Sequence, residues 1–208
     1  MSNIWVTSDL HIGHDKAFLY EPRGFGSIEE HDKALVDNWN ESVSPDDTVY
    51  VLGDVMLRHN SEDTDFSYGL SVLQKLSGRL IIIRGNHDSE NRIEKYKGCN
   101  NVVSAGDAAL YLNYPKEGSY HFYLSHYPTL ISHTKPKPLK EALINLYGHT
   151  HQKEKFYQGY PHMYCVCLDA HDMRPVLLDS VIEEIRLKRS AYCEERDSLK
   201  IGIHLQVD

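Results

Sequence analysis

The first half of the chain alternates short apolar runs with segments of helical spacing. IWVTS (4–8), TVYVL (48–52) and LIIIR (80–84) are runs of the kind buried on both faces of a parallel sheet. Between the first two, SIEEHDKALVDNW (27–39) sets Ile28, Ala34, Leu35 and Trp39 among charges at roughly helical spacing. Ser27 followed three residues later by Glu30 is a capping-box pattern at its start. SPDD (44–47) predicts a turn, and FSYGLSVLQKLS (66–77) a second helix that Gly69 weakens. The order β-α-β-α-β predicts a parallel sheet with right-handed crossovers.

The second half changes character. VVSAG, AALYLNY, YHFYLSH, INLYGH and MYCVCLD are short strand candidates with few helices between them. They predict mainly antiparallel strands in a second sheet packed on the first. A strong amphipathic segment follows, with Val181, Ile182, Ile185 and Leu187 among charges, and predicts a helix over about 181–197. IGIHLQV (201–207) reads as a short final strand. No internal repeat, low-complexity segment or linker divides the 208 residues, which suit a single domain over 1–208.

Composition narrows the class. With 41% hydrophobic and 25% charged residues the chain is globular. A formal charge of -8 argues against sequence-blind binding to long nucleic acid, which needs a basic surface. No apolar run approaches membrane-spanning length, and MSNIWVTSDLH turns polar too early for a signal peptide. Cys99, Cys165, Cys167 and Cys193 form no CxxC pair and read as free thiols, so the expected location is cytoplasmic.

The 13 histidines are many for this length, and several stand just after the apolar runs. IWVTS leads into Asp9 and His11, TVYVL into Asp54, LIIIR into Asn86, His87 and Asp88, HFYLS into His126, and INLY into His149 and His151. Five strand ends thus carry oxygen or imidazole donors, at the sheet edge where α/β proteins bind ligands. In Asp-x-His and His-x-His both side chains of an extended pair face one way. Gly53, Gly85 and Gly148 allow close backbone approach. Such donors without thiolate suit two divalent cations, Mn first, with Fe, Zn, Ni or Co as alternatives. A bridging carboxylate would hold them about 3.5–4 Å apart around a phosphoryl group.

This ordered set resembles the calcineurin-like metallophosphoesterases, whose blocks Asp-x-His, Gly-Asp, Gly-Asn-His-Asp/Glu, His and Gly-His-x-His are matched from residue 9 to 151. SDLHIGH, PRGFGSIEEHDKALVDNWN, DTVYVLGD and DAHDMRPVLLD further resemble a small prokaryotic and phage group within that superfamily. The resemblance implies an α/β fold, a four-layer α/β/β/α sandwich of two mixed sheets. It implies that Asp9, His11 and His151 hold one metal, that Asn86, His126 and His149 hold the other, and that Asp54 bridges them. It also implies that His87 is the acid or phosphate-orienting residue, with Asp88 holding its imidazole. A carboxylate beside His87 favours imidazolium and two nearby cations oppose it.

The expected reaction is hydrolysis of a small-molecule or nucleotide phosphoester by a metal-bridging hydroxide, with diesters turned over at least as well as monoesters. His14, Arg23 and Arg58 are candidate substrate contacts, since arginine suits bidentate phosphate recognition. Arg84 reads as a structural ion pair. Ser125 beside His126 lacks the setting of a hydrolase nucleophile. A nuclease or cyclic-nucleotide phosphodiesterase could use the same residues, and a non-catalytic metal-binding scaffold is the other alternative. A scaffold could have lost ligands, and none is missing here.

Overall fold

The computed structural model describes residues 2–57, 66–116, 118–130 and 138–204, with side chains described through Tyr192. Strands β1 (Ile4–Thr7), β2 (Thr48–Val51) and β3 (Arg79–Ile83) pair in parallel, as the alternation predicts. Between them run α1 (Ala17–Tyr20), α2 (Ile28–Ser42) and α3 (Ser67–Leu73). Ser27 Oγ accepts the Glu30 N–H at 3.3 Å, while Glu30 Oε2 accepts from Gly26 N at 2.9 Å, so the cap reaches one residue upstream of a reciprocal box.

A helix α4 (Glu90–Lys97) follows β3, capped by Ser89 and buried through Ile93 and Tyr96. The sequence reading missed it, because only eight charged and apolar residues carry its period. Its presence makes β4 (Val102–Asp107) a further parallel neighbour of β3. VVSAG therefore belongs to the first sheet, not the second. Strand β9 (Val176–Leu177) closes that sheet antiparallel to β1, giving the order β4-β3-β2-β1-β9.

The second sheet is β5 (Ala109–Tyr114), β6 (Tyr120–Ser125), β7 (Leu143–Tyr147) and β8 (Met163–Cys165), in that order. Only β5 and β6 are antiparallel; β6, β7 and β8 run parallel. The mainly antiparallel expectation is corrected: the connections after β6 and β7 are too long for hairpins and return each strand in the same direction. Among the described residues they carry 3-10 turns at Leu139–Glu141 and Tyr157–Gly159 where the first sheet has full helices.

Two cores follow from the pleat. Val49, Val51, Leu80 and Ile82 pack with Leu35, Trp39, Leu73 and Tyr96 of α2–α4. Val6, Leu52 and Ile83 point the other way, onto Phe122, Leu124, Ile144 and Leu146 of the second sheet. Helix α5 (Leu178–His204) inserts Leu178, Val181, Ile182 and Ile185 into this second core. It begins three residues before the predicted start and continues through 201–204, so the expected final strand is helical there. The result is an α/β stack of two mixed sheets with helices, as the resemblance implies. Among the described residues no helix is long and apolar enough to cross a membrane.

Candidate metal centre

The parallel directions of β1–β3 and of β6–β7 bring five strand ends to one edge. Backbone pairing continues past the strands: Asp9 N–H donates to Gly53 O and His11 N–H to Asp54 O, each at 3.0 Å. An isolated parallel bridge between Ser8 and Cys167 joins the two sheets, and His149 N–H donates to Asp9 Oδ2 at 2.9 Å. Five candidate ligands have left-handed backbone, with φ of 60° at Asp9, 50° at His11, 55° at Asp54, 71° at His149 and 49° at His151. Such conformations cost on the order of 1–3 kcal/mol each and persist where the surroundings over-determine them. Glycine is required beside them. A Cβ on Gly53, itself at φ 91°, would lie 2.7 Å from His126 Nδ1, and one on Gly148 would lie 2.5 Å from Asp9 Oδ2.

Asp9, His11 and His151 form one cluster of ligand atoms, and Asp9, Asp54 and His126 another. In the first, the Nε2 atoms of His11 and His151 approach to 3.1 Å and lie 3.9 and 3.6 Å from Asp9 Oδ1. Asp9 Oδ2 accepts from His149 N–H and from the Cys167 thiol at 3.0 Å, whereas Oδ1 is buried without a hydrogen-bond partner. His151 Nδ1 donates to Asp169 Oδ2 at 2.9 Å, which leaves a lone pair on Nε2 facing the cluster.

The second cluster repeats this logic. His126 Nδ1 donates to the Leu52 carbonyl at 2.8 Å, so the neutral ring presents a lone pair at Nε2. That lone pair faces Asn86 Oδ1 at 2.8 Å, and His149 Nδ1 lies 2.9 Å from the same oxygen. Asp54 Oδ2 is 3.5 Å from His126 Nε2 and 3.8 Å from His11 Nε2, between the two groups. By distance Asp9 also belongs to both clusters, but one of its oxygens is already committed. Imidazole nitrogens and side-chain oxygens converging at these distances fit divalent cations, and the oxygen-and-imidazole set fits Mn, Fe, Zn, Ni or Co.

The electrostatics agree. Burial, then the positive fields of His151 and Arg23, hold His11 well below the ordinary histidine pKa, so it is neutral and ready to ligate. Burial also raises Asp54, with Asp9 and Asp88 adding to the shift against His126, which marks a crowd of buried anions. Burial lowers His149. Burial opposes charge on His151 as well, yet the hydrogen bond to Asp169 and the carboxylates of Asp9 and Asp169 outweigh it and raise its pKa.

A family model of the calcineurin-like phosphoesterases matches residues 2–162. The chain belongs to that family. It is 34% identical over 202 residues to the Gene 66 protein of Mycobacterium phage D29, covering 89% of this chain and 96% of that one. It is 31% identical over 153 residues to the protein MJ1445 of Methanocaldococcus jannaschii, covering 70% of this chain and 85% of that one. A solved structure from Aquifex aeolicus, of a protein of unknown function, shares the fold with a TM-score of 0.63 at 22% identity, over 88% of this chain and 99% of that one.

Within this phosphoesterase the remaining candidates divide. His87 is about two-fifths exposed, with Nε2 4.0 Å from Asp54 Oδ2 and its N–H donating to Asp54 Oδ1 at 2.8 Å. It lines a cleft of about 410 Å³ together with His14, whose ring lies 5.4 Å from that of His11 and 6.4 Å from that of His87. The expectation that Asp88 holds the His87 imidazole is corrected. Asp88 Oδ2 accepts from Asp54 N at 2.7 Å and Gly85 N at 2.9 Å, while Oδ1 accepts from Val55 N at 3.2 Å and Tyr96 Oη at 2.9 Å. The carboxylate points into the fold and joins two strand ends. The reading of Arg23 as a substrate contact is also corrected. Its guanidinium is buried, binds Asp169 through Nε at 2.9 Å and Nη2 at 2.7 Å, and donates to the Asp9 carbonyl at 2.9 Å. Arg58 lies outside the described residues. Arg84 pairs with Glu90, as expected of a structural arginine.

Sequence reasoning missed Asp169, Tyr96 and the Cys167 contact to Asp9. Asp169 carried a usable signal, since it is one more carboxylate just after an apolar run, MYCVC. Although burial pushes the other way, hydrogen bonds from His151 and Arg23 hold its pKa below the ordinary carboxylate value.

Two outcomes test this geometry. Asp88→Ala leaves three buried N–H groups and the Tyr96 hydroxyl without an acceptor, and each such loss costs about 1–3 kcal/mol. Urea titration should show the variant destabilised by at least ~3 kcal/mol; unchanged stability with lost activity would return Asp88 to the catalytic role. Asp169→Asn should weaken one of two bound metals about 10–100-fold at alkaline pH. Because Asp169 raises His151, the pH below which protons compete for that metal should also move down. A titration of Mn uptake against pH reads both effects.

Proposed function

We propose that this phosphoesterase hydrolyses small phosphodiesters with two divalent cations held at the strand ends. The observation that carries the reading is the pair of ligand-atom clusters, Asp9–His11–His151 and Asp9–Asp54–His126, with Asn86 and His149 beside the second. Asp9, His11 and His151 would hold one cation, Asn86, His126 and His149 the other, and Asp54 both, with manganese the first choice. When bound, two such cations supply an activated water and neutralise charge developing on the phosphoryl oxygens.

The chain's own groups do the rest. Asp88 fixes the turn that carries Asn86 and His87, so the His87 ring stands at the cleft with its backbone tied to Asp54. From there it would donate a proton to the departing oxygen. Asp169 and the Leu52 carbonyl accept from Nδ1 of His151 and His126 and so orient their Nε2 atoms towards the clusters. The open cleft leaves room for a diester's second substituent. The charge of -8 speaks against long nucleic acid as the partner, and every ligand a non-catalytic scaffold could dispense with is present. The buried free thiols Cys99, Cys165 and Cys167 support a reducing, cytoplasmic setting.

With Mn present, kcat/KM for bis-4-nitrophenyl phosphate should equal or exceed that for 4-nitrophenyl phosphate at matched pH. His87→Ala should retain metal and lose about 10²–10⁴-fold in kcat on a diester with a poor leaving group. The loss should be smaller with nitrophenolate, which needs little protonation. A clear monoester preference would overturn the diester assignment, and an unimpaired His87→Ala the role of His87.

A further inference from the structure

Phe18 is a large aromatic side chain that is 72% exposed. Its position is set by the short helix α1, which turns Leu19 inward and Phe18 outward. The ring lines the same cleft as His11, His87 and Asp54. Leu19 and Leu57 line it too, so one wall is apolar while the floor is made of candidate ligands. The Phe18 ring meets His14 edge-on, at 5.6 Å between centroids and 86° between planes. That contact orients the ring yet leaves a face open. His14 in turn lies 5.4 Å from the His11 ring and 6.4 Å from the His87 ring. Phe18 therefore stands two ring contacts, by way of His14, from the candidate ligand His11.

The other exposed aromatic nearby is differently placed. Tyr127 packs against His149 at 4.7 Å and His126 at 5.1 Å, and so supports two ligands. Phe18 instead touches His14 and stays 72% exposed at the rim.

We infer that Phe18 is a stacking platform for a nucleobase, and that the enzyme's substrates are phosphoesters of nucleosides, with the sugar passing over His14 and the base lying on the Phe18 face. The inference rests on the phosphoesterase reading of the cleft. A nucleobase suits the wall because every base has a π-face, and stacking on an aromatic side chain is sequence-tolerant. A substrate with a small alkyl substituent would leave the exposed Phe18 ring in water.

The test compares two diesters that release the same nitrophenolate: thymidine 5'-(4-nitrophenyl phosphate) and methyl 4-nitrophenyl phosphate. Wild-type enzyme loaded with Mn should favour the nucleoside ester about tenfold or more in kcat/KM, through KM. Phe18→Ala should collapse that ratio towards one, and Phe18→Trp should restore it. Tyr111→Ala, which removes an exposed aromatic outside the cleft, should leave the ratio as in wild type. Equal use of both esters by the wild type, or a preference that survives Phe18→Ala, overturns the inference and leaves the phosphoesterase reading intact. Calorimetric binding of thymidine 5'-monophosphate against inorganic phosphate gives a readout independent of turnover. The nucleotide should bind about tenfold tighter, and Phe18→Ala should remove the difference. If neither ester is cleaved, the phosphoesterase reading fails, and this binding comparison alone decides the role of Phe18.

Discussion

Three backbone N–H groups and one phenol converge on the buried carboxylate of Asp88, and through it the ends of β2 and β3 are fixed to each other and to α4. An isolated charge in that position would be strongly unfavourable; four donors make it tolerable and rigid. The consequence reaches the chemistry directly. Asp54, whose amide is one of the donors, presents its carboxylate between the two ligand clusters. The turn after Gly85 then sets Asn86 towards His126 and His149, and His87 towards the cleft. Tyr96 completes the set of donors around Asp88 from a helix that contributes no candidate ligand of its own.

A second constraint is electrostatic. Asp9, Asp54 and Asp88 are buried close together, and five candidate ligands are held in left-handed backbone. Both features oppose folding when considered alone. Cross-strand hydrogen bonds hold the backbone, and the Arg23–Asp169 pair braces His151 from behind while fixing the Asp9 carbonyl. Divalent cations would neutralise the crowded oxygens, so metal binding and folding draw on the same interactions. These bonds tie the candidate ligands to one another, while Phe18 and His14 line the outer wall of the cleft.

Much of this was legible in the chain. The apolar runs named β1, β2 and β3, and the polar residues after five runs marked the sheet edge where the site lies; the resemblance then singled out seven of them as candidate ligands. Other features depended on information a pattern does not contain. Whether Asp88 faces His87 or the fold interior turns on one side-chain direction in a tight turn, and adjacent polar residues look alike in sequence. Arg23 resembled a phosphate contact because arginine chemistry suits both roles; its partner, Asp169, lies 146 positions away. The short helix α4 carries too few periods to be seen, and missing it misplaced VVSAG. The parallel course of β6, β7 and β8 follows from connection length, which the strand patterns themselves do not record.

The account stands on two cations held around Asp54. Crystals grown with Mn²⁺ and measured at its absorption edge would locate them by anomalous scattering. Two peaks per chain are predicted, about 3.5–4 Å apart, one among Asp9, His11 and His151 and the other among Asn86, His126 and His149, with Asp54 between. A single peak, or peaks elsewhere in a correctly folded protein, would contradict it.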